Sequence, residues 1–148
     1  MPTREENARQ LFSCGYNCAQ SVLGSFHEEN GLDMQTALKI ASGFGGGARC
    51  GEICGAVSGA LMVIGLKCGF HVEKDFKQKG FCNQKAYIFI EVFTRENGSI
   101  ICRDLLGIDV RSPEDFTTPE AKEAIKDICP RMVASAVRIL DTMEFGDE

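Results

Sequence analysis

Eight cysteines dominate the chemistry open to this chain: Cys14, Cys18, Cys50, Cys54, Cys68, Cys82, Cys102 and Cys129. The thiolate is the form that attacks disulfides and binds metals, and a helix N-terminus favours it through free N–H groups and the positive end of the macrodipole. Four of the eight are expected at such ends. Cys18 follows Asn17, a helix cap with Gln20 in the reciprocal position of a capping box. Cys54 falls in the first turn of GEICGAVSGALMVIG, residues 51–65. Cys102 opens a short turn before Leu105, Leu106 and Gly107, and Cys129 immediately precedes Pro130, which reads as the first position of a new helix. Arg49 lies close enough in sequence to favour a Cys54 anion.

Two chemistries suit this set. In thiol–disulfide exchange, Cys54 is the expected nucleophile and Cys18 its resolving partner, with Cys14 and Cys50 as the other candidates. In metal binding, Cys18, Cys54, Cys102 and Cys129 would supply the four thiolates of a [2Fe–2S] or [4Fe–4S] cluster. Tetrathiolate zinc is chemically allowed but usually brings close ligand pairs. Cys14-x-x-x-Cys18 with Cys50-x-x-x-Cys54 is an alternative set, and it requires helix across both pairs. Cysteine also packs like a small hydrophobe, the preferred reading for Cys68 and Cys82. No Cys-x-x-Cys pair occurs, so thioredoxin and zinc-ribbon spacings are absent.

The elements that must position these thiols read as helices throughout. Thr3 and Glu6 form a capping box that opens a short helix. A second helix follows Asn17, with apolar residues at Cys18, Ala19, Val22, Leu23 and Phe26 and its end at Asn30-Gly31, and Asp33 caps a third. The loop 42–47 leads into the glycine-rich stretch, expected as a central helix. There Gly51, Gly55 and Gly59 repeat every fourth residue and line one face. Glycine costs roughly 1 kcal/mol relative to alanine in a helix interior. A bare face repays that by admitting a neighbouring backbone, or by leaving room for a cofactor at Gly55 and Gly59. A long helix over 72–96 is expected to break at Gly80. Thr118-Pro119 starts a helix ending at Ile128, and Pro130 starts the last, running to about Met143. No strand alternation, repeat or linker is evident. The expected fold is all-α, one domain over residues 1–148, a helical bundle around the glycine-rich helix.

Asn17-Cys18-Ala19-Gln20, Gly43-Phe44-Gly45-Gly46-Gly47, Cys54-Gly55-Ala56-Val57-Ser58-Gly59-Ala60, Cys102-Arg103-Asp104-Leu105-Leu106-Gly107 and Cys129 together resemble the C_GCAxxG_C_C family of redox-active proteins. The resemblance runs from about Tyr16 to Leu140. It implies signature cysteines at Cys18, Cys54, Cys102 and Cys129, the four already singled out by helix position. It also implies an oxidoreductase-type role with an unidentified redox partner. A similar domain accompanies c-type haem in some cytochromes, but this chain has no Cys-x-x-Cys-His.

Composition sets the outer bounds. A chain of 148 residues is near the size of one domain. A net charge of −5 and the lack of any Lys/Arg run argue against nucleic acid as a partner. The first residues are polar and acidic, and the longest apolar run, 60–66, is far short of the ~20 residues that span a bilayer. A cytoplasmic protein that does not enter the membrane is expected, with homo-oligomerisation left open. The 43–47 loop could cradle a phosphate as a nest of N–H groups, but no Walker ending follows it and a tight connection is the preferred reading. His27 and His71 read as surface residues.

Overall fold

Side-chain caps set where most helices begin. In the computed structural model, which describes residues 2–146, helix α1 (Arg4–Ser13) opens on the Thr3/Glu6 capping box, and α2 (Cys18–Ser25) on the Asn17/Gln20 box. Asp33 caps α3 (Met34–Ile40) by accepting from the Thr36 amide. Helix α4 (Gly55–Cys68) carries the glycine-rich stretch, and α5 (Phe76–Asn97) is capped by Asp75 and stopped by Gly98 in the left-handed region. The short α6 (Cys102–Leu106) is followed by a 3-10 turn, Pro113–Thr117, and then by α7 (Pro119–Thr142), capped by Thr118. The all-α expectation holds.

Two expected breaks do not occur. Gly80 lies within an unbroken α5, with open space where a side chain would be. Pro130 lies inside a continuous α7, where its missing N–H and ring normally cost about 3 kcal/mol. The opposing force is visible in the packing. Before Pro130, Ala121, Ile125 and Ile128 pack in a small cluster with Leu106, Val110 and Phe116. After it, Val133, Ala136, Val137 and Leu140 enter the main core. One helix joins two apolar groups, and its burial in both holds it together across the proline.

The main core is built around α4, which packs on α2, α5 and α7. The bare face does seat a backbone: a Cβ on Gly59 would lie 2.8 Å from the Ala19 carbonyl oxygen, and one on Gly55 3.1 Å from the Ala19 nitrogen. Gly51 is not part of that face. It precedes the helix at φ 74°, pressed against the Val110 carbonyl. At the surface, Arg4 pairs with Glu29 and Asp141 and Lys67 pairs with Glu29, tying α1, α4 and α7 together. Among the described residues no helix is long and apolar enough to cross a membrane.

Candidate functional site

The main chain brings the first two sulfurs together. Ile53 and Ile101 form an isolated antiparallel bridge. On either side of it, the Cys54 amide donates to the Ile100 carbonyl at 2.7 Å, and the Cys102 amide donates to the Glu52 carbonyl at 2.6 Å. Cys54 becomes the N-cap of α4 and Cys102 the first residue of α6, two helix starts set side by side. The close packing of α2 on Gly55 and Gly59 brings Cys18, at the first position of α2, against the start of α4. Cys129 arrives from α7. It touches both the main core and the smaller cluster, so it stands at their junction.

All four line one cavity of about 200 Å³, with Gly55 on its wall. Its remaining lining is mostly apolar, including Phe12, Leu105, Phe116, Ile125 and Met132. Cys18, Cys54 and Cys102 are buried, Cys129 is half-buried, and Tyr16 and Arg49 reach solvent. The expected convergence of Cys18, Cys54, Cys102 and Cys129 is therefore the observed arrangement. Gly59 is different: Ala19 and Val22 cover it, so it positions α2 and lines no open space. Cys14 is exposed at the end of α1 and Cys50 is exposed before α4, and neither borders the cavity. The alternative set built on those two is not assembled. Cys68 is buried at the end of α4, where its thiol donates to the Ile64 carbonyl, and Cys82 is half-buried against the core.

The electrostatics differ from the expectation of four anions at four helix starts. Cys129 does not begin a helix, because α7 continues through Pro130. Yet it is the one of the four whose ionisation is eased, and the cause is a hydrogen bond with Cys18. Cys18, the other half of that pair, is driven well above the ordinary thiol range by the same bond and by burial. Burial pushes Cys54 up to about 11. The Ala56 and Val57 amides act the other way, but neither makes a well-aligned hydrogen bond to the sulfur. Burial likewise raises Cys102, to about 12, against the opposing charges of Arg49 and Arg103. At these positions desolvation outweighs the helix dipole. Arg49 acts on Cys102, not on Cys54.

The donor chemistry, four thiols, suits an iron–sulfur cluster. Among the described residues no three His, Cys, Asp or Glu side chains are grouped to hold a single metal ion. What the site offers is two buried, protonated thiols, Cys54 and Cys102, beside a Cys18–Cys129 pair in which ionisation of Cys129 is eased and that of Cys18 opposed, in a mostly apolar recess.

Arg49 and Phe116 complete the pocket in a way the sequence did not reveal. The guanidinium lies over the Phe116 ring, 4.8 Å from its centroid. Residues Gly46, Gly47, Ala48 and Arg49 all have φ between 59° and 65°, a left-handed turn closed by the Glu52 amide donating to the Gly47 carbonyl. Two non-glycine residues in that turn gave no sequence signal for it. Phe116 is presented by the 3-10 turn that Ser112 and Pro113 open.

Compared with known proteins, residues 16–143 match the family described as "Putative redox-active protein (C_GCAxxG_C_C)", and the chain belongs to that family. Neither the comparison with curated proteins nor that with solved structures gave a match.

Proposed function

We propose that this protein exchanges thiols for disulfides through Cys18 and Cys129, with Cys129 attacking and Cys18 resolving. The observation that carries this reading is the meeting of Cys18, from α2, and Cys129, from α7, in one cavity walled by two further cysteines. The Cys129 thiolate attacks one sulfur of a substrate disulfide, R–S–S–R′, and forms a mixed disulfide as R–S⁻ leaves. Cys18 then gives its proton to the departing thiolate and attacks the Cys129 sulfur, releasing R′–S⁻. Two electrons pass to the substrate, one disulfide forms in the protein, and an external dithiol reverses the sequence. This assignment favours Cys129 over Cys54 as nucleophile, because burial holds Cys54 protonated. Cys54 and Cys102 complete the pocket wall and keep it free of competing charge at neutral pH.

The test is a titration in dithiothreitol redox buffers, with disulfides mapped by peptide mass spectrometry. A Cys18–Cys129 bond should form at a single midpoint and disappear in Cys129→Ser and in Cys18→Ser. No such bond at any potential, or a bond between other cysteines that persists in both variants, overturns the proposal. Iron and acid-labile sulfide in anaerobically purified protein, lost on replacing the same cysteines, would instead establish the cluster reading.

A further inference from the structure

We propose that Arg49 is the anion-recognition residue of the cysteine pocket and that it selects a small disulfide with an apolar body and a carboxylate. The inference rests on the exchange chemistry above for the word disulfide, and on independent geometry for the anion. Two arginines neighbour Cys102. Arg103 is occupied, donating to the Glu52 carboxylate at 2.7 Å and to the Gly51 carbonyl at 3.0 Å. Arg49 has no carboxylate partner among the described residues, yet it lines the cavity. A guanidinium held over an aromatic ring keeps N–H groups available, and its fork of donors fits a carboxylate in bidentate fashion.

The backbone is bent to put it there. Ala48 and Arg49 sit at φ 59° and 65°, a left-handed conformation that is strained for an L-residue with a side chain. Gly46 is bare where the stack needs space: a Cβ on it would lie 2.8 Å from Arg49 Nη1 and 3.1 Å from the Phe116 ring. Gly47 has none to spare either, since its Cβ would meet the Glu52 amide at 2.4 Å. Strain of this kind persists where the surroundings over-determine it, and it clusters at ligand clamps. The rest of the pocket is mostly apolar, so the best-fitting ligand presents a hydrophobic body to Phe12, Leu105 and Met132 and its charge to Arg49. A volume of about 200 Å³ limits it to a small molecule.

The experiment compares two reagents: 5,5′-dithiobis(2-nitrobenzoate), aromatic and anionic, and 4,4′-dithiodipyridine, aromatic and neutral at pH 8. Mixed-disulfide formation is followed at the Cys129 peptide by mass spectrometry. Arg49→Gln should slow the anionic reagent by roughly tenfold, the scale of one charge-assisted contact, and leave the neutral one within about twofold. Arg49→Lys should retain most of the preference. In the unaltered protein, raising the salt should slow the anionic reagent alone, a measurement that needs no variant to fold. Equal slowing of both reagents by Arg49→Gln, or a salt-insensitive ratio in the unaltered protein, overturns the proposal. If the neutral reagent labels Cys129 but never joins it to Cys18, the exchange reading fails while the charge preference is still measured.

Discussion

At the scale of single residues, the site turns on which sulfur holds its proton. Cys129 ionises more readily because Cys18 hydrogen-bonds to it, so Cys18→Ala should move the pH profile of Cys129 alkylation by iodoacetamide to higher pH. An unmoved profile would mean the bond has no such effect. Cys54 and Cys102 carry the opposite shift. Their folded values, about 11 and about 12, lie above the ordinary thiol value near 9, so the folded state holds protons that the unfolded chain releases. Their stabilisation is complete below pH 9 and is lost as pH rises through 11 and 12. Each group can steepen the loss by up to about 1.4 kcal/mol per pH unit. Urea titrations between pH 9 and 12 should therefore show a flatter decline in Cys54→Ser and Cys102→Ser than in the unaltered protein.

At the scale of elements, the glycines of α4 and α5 look alike in sequence and do opposite things. Gly59 is the contact plane between α2 and α4. Gly59→Ala would drive a Cβ into a carbonyl and should cost about 1–3 kcal/mol. Gly80 faces open space, so Gly80→Ala should stabilise by up to about 1 kcal/mol through helix propensity alone. Chemical denaturation of the two variants separates these signs. Much at this level was legible in the chain. The Thr3, Asn17, Asp33 and Thr118 caps fall where expected, and three of the four clustered cysteines stand at the helix starts that pointed to them. For Cys129 the helix-start ground does not apply, and the family resemblance is what pointed to it. A proline in isolation reads as a helix start, and only the apolar residues on both sides of it, packed in two separate clusters, explain why α7 continues. The left-handed conformation of Ala48 and Arg49 was not legible, because neither residue is a turn-former and the contacts that flank it, Gly47 with Glu52 and Gly51 with Val110, are made only in space.

At the scale of the whole molecule, the cavity lies on the seam between the main core and the smaller cluster that Phe116, Val110 and Leu106 form with α7. A Cys18–Cys129 disulfide would cross-link α2 to the middle of α7 and close a loop on the order of 100 residues. Such a link contributes up to about 4–5 kcal/mol by restricting the unfolded chain, less any strain. The oxidised protein should accordingly unfold at a higher guanidinium midpoint than the reduced one. Coincident midpoints would place the oxidised bond elsewhere or nowhere. The pairing of Ile53 with Ile101 carries a consequence of its own. It is made by peptide groups, so the alignment of the two neighbouring thiols does not depend on which side chains occupy positions 53 and 101. Exchanging those isoleucines for other β-formers should leave the sulfurs in register, whereas inserting or deleting one residue on either strand of that pairing would slide Cys54 past Cys102 and dismantle the pocket with every cysteine still present.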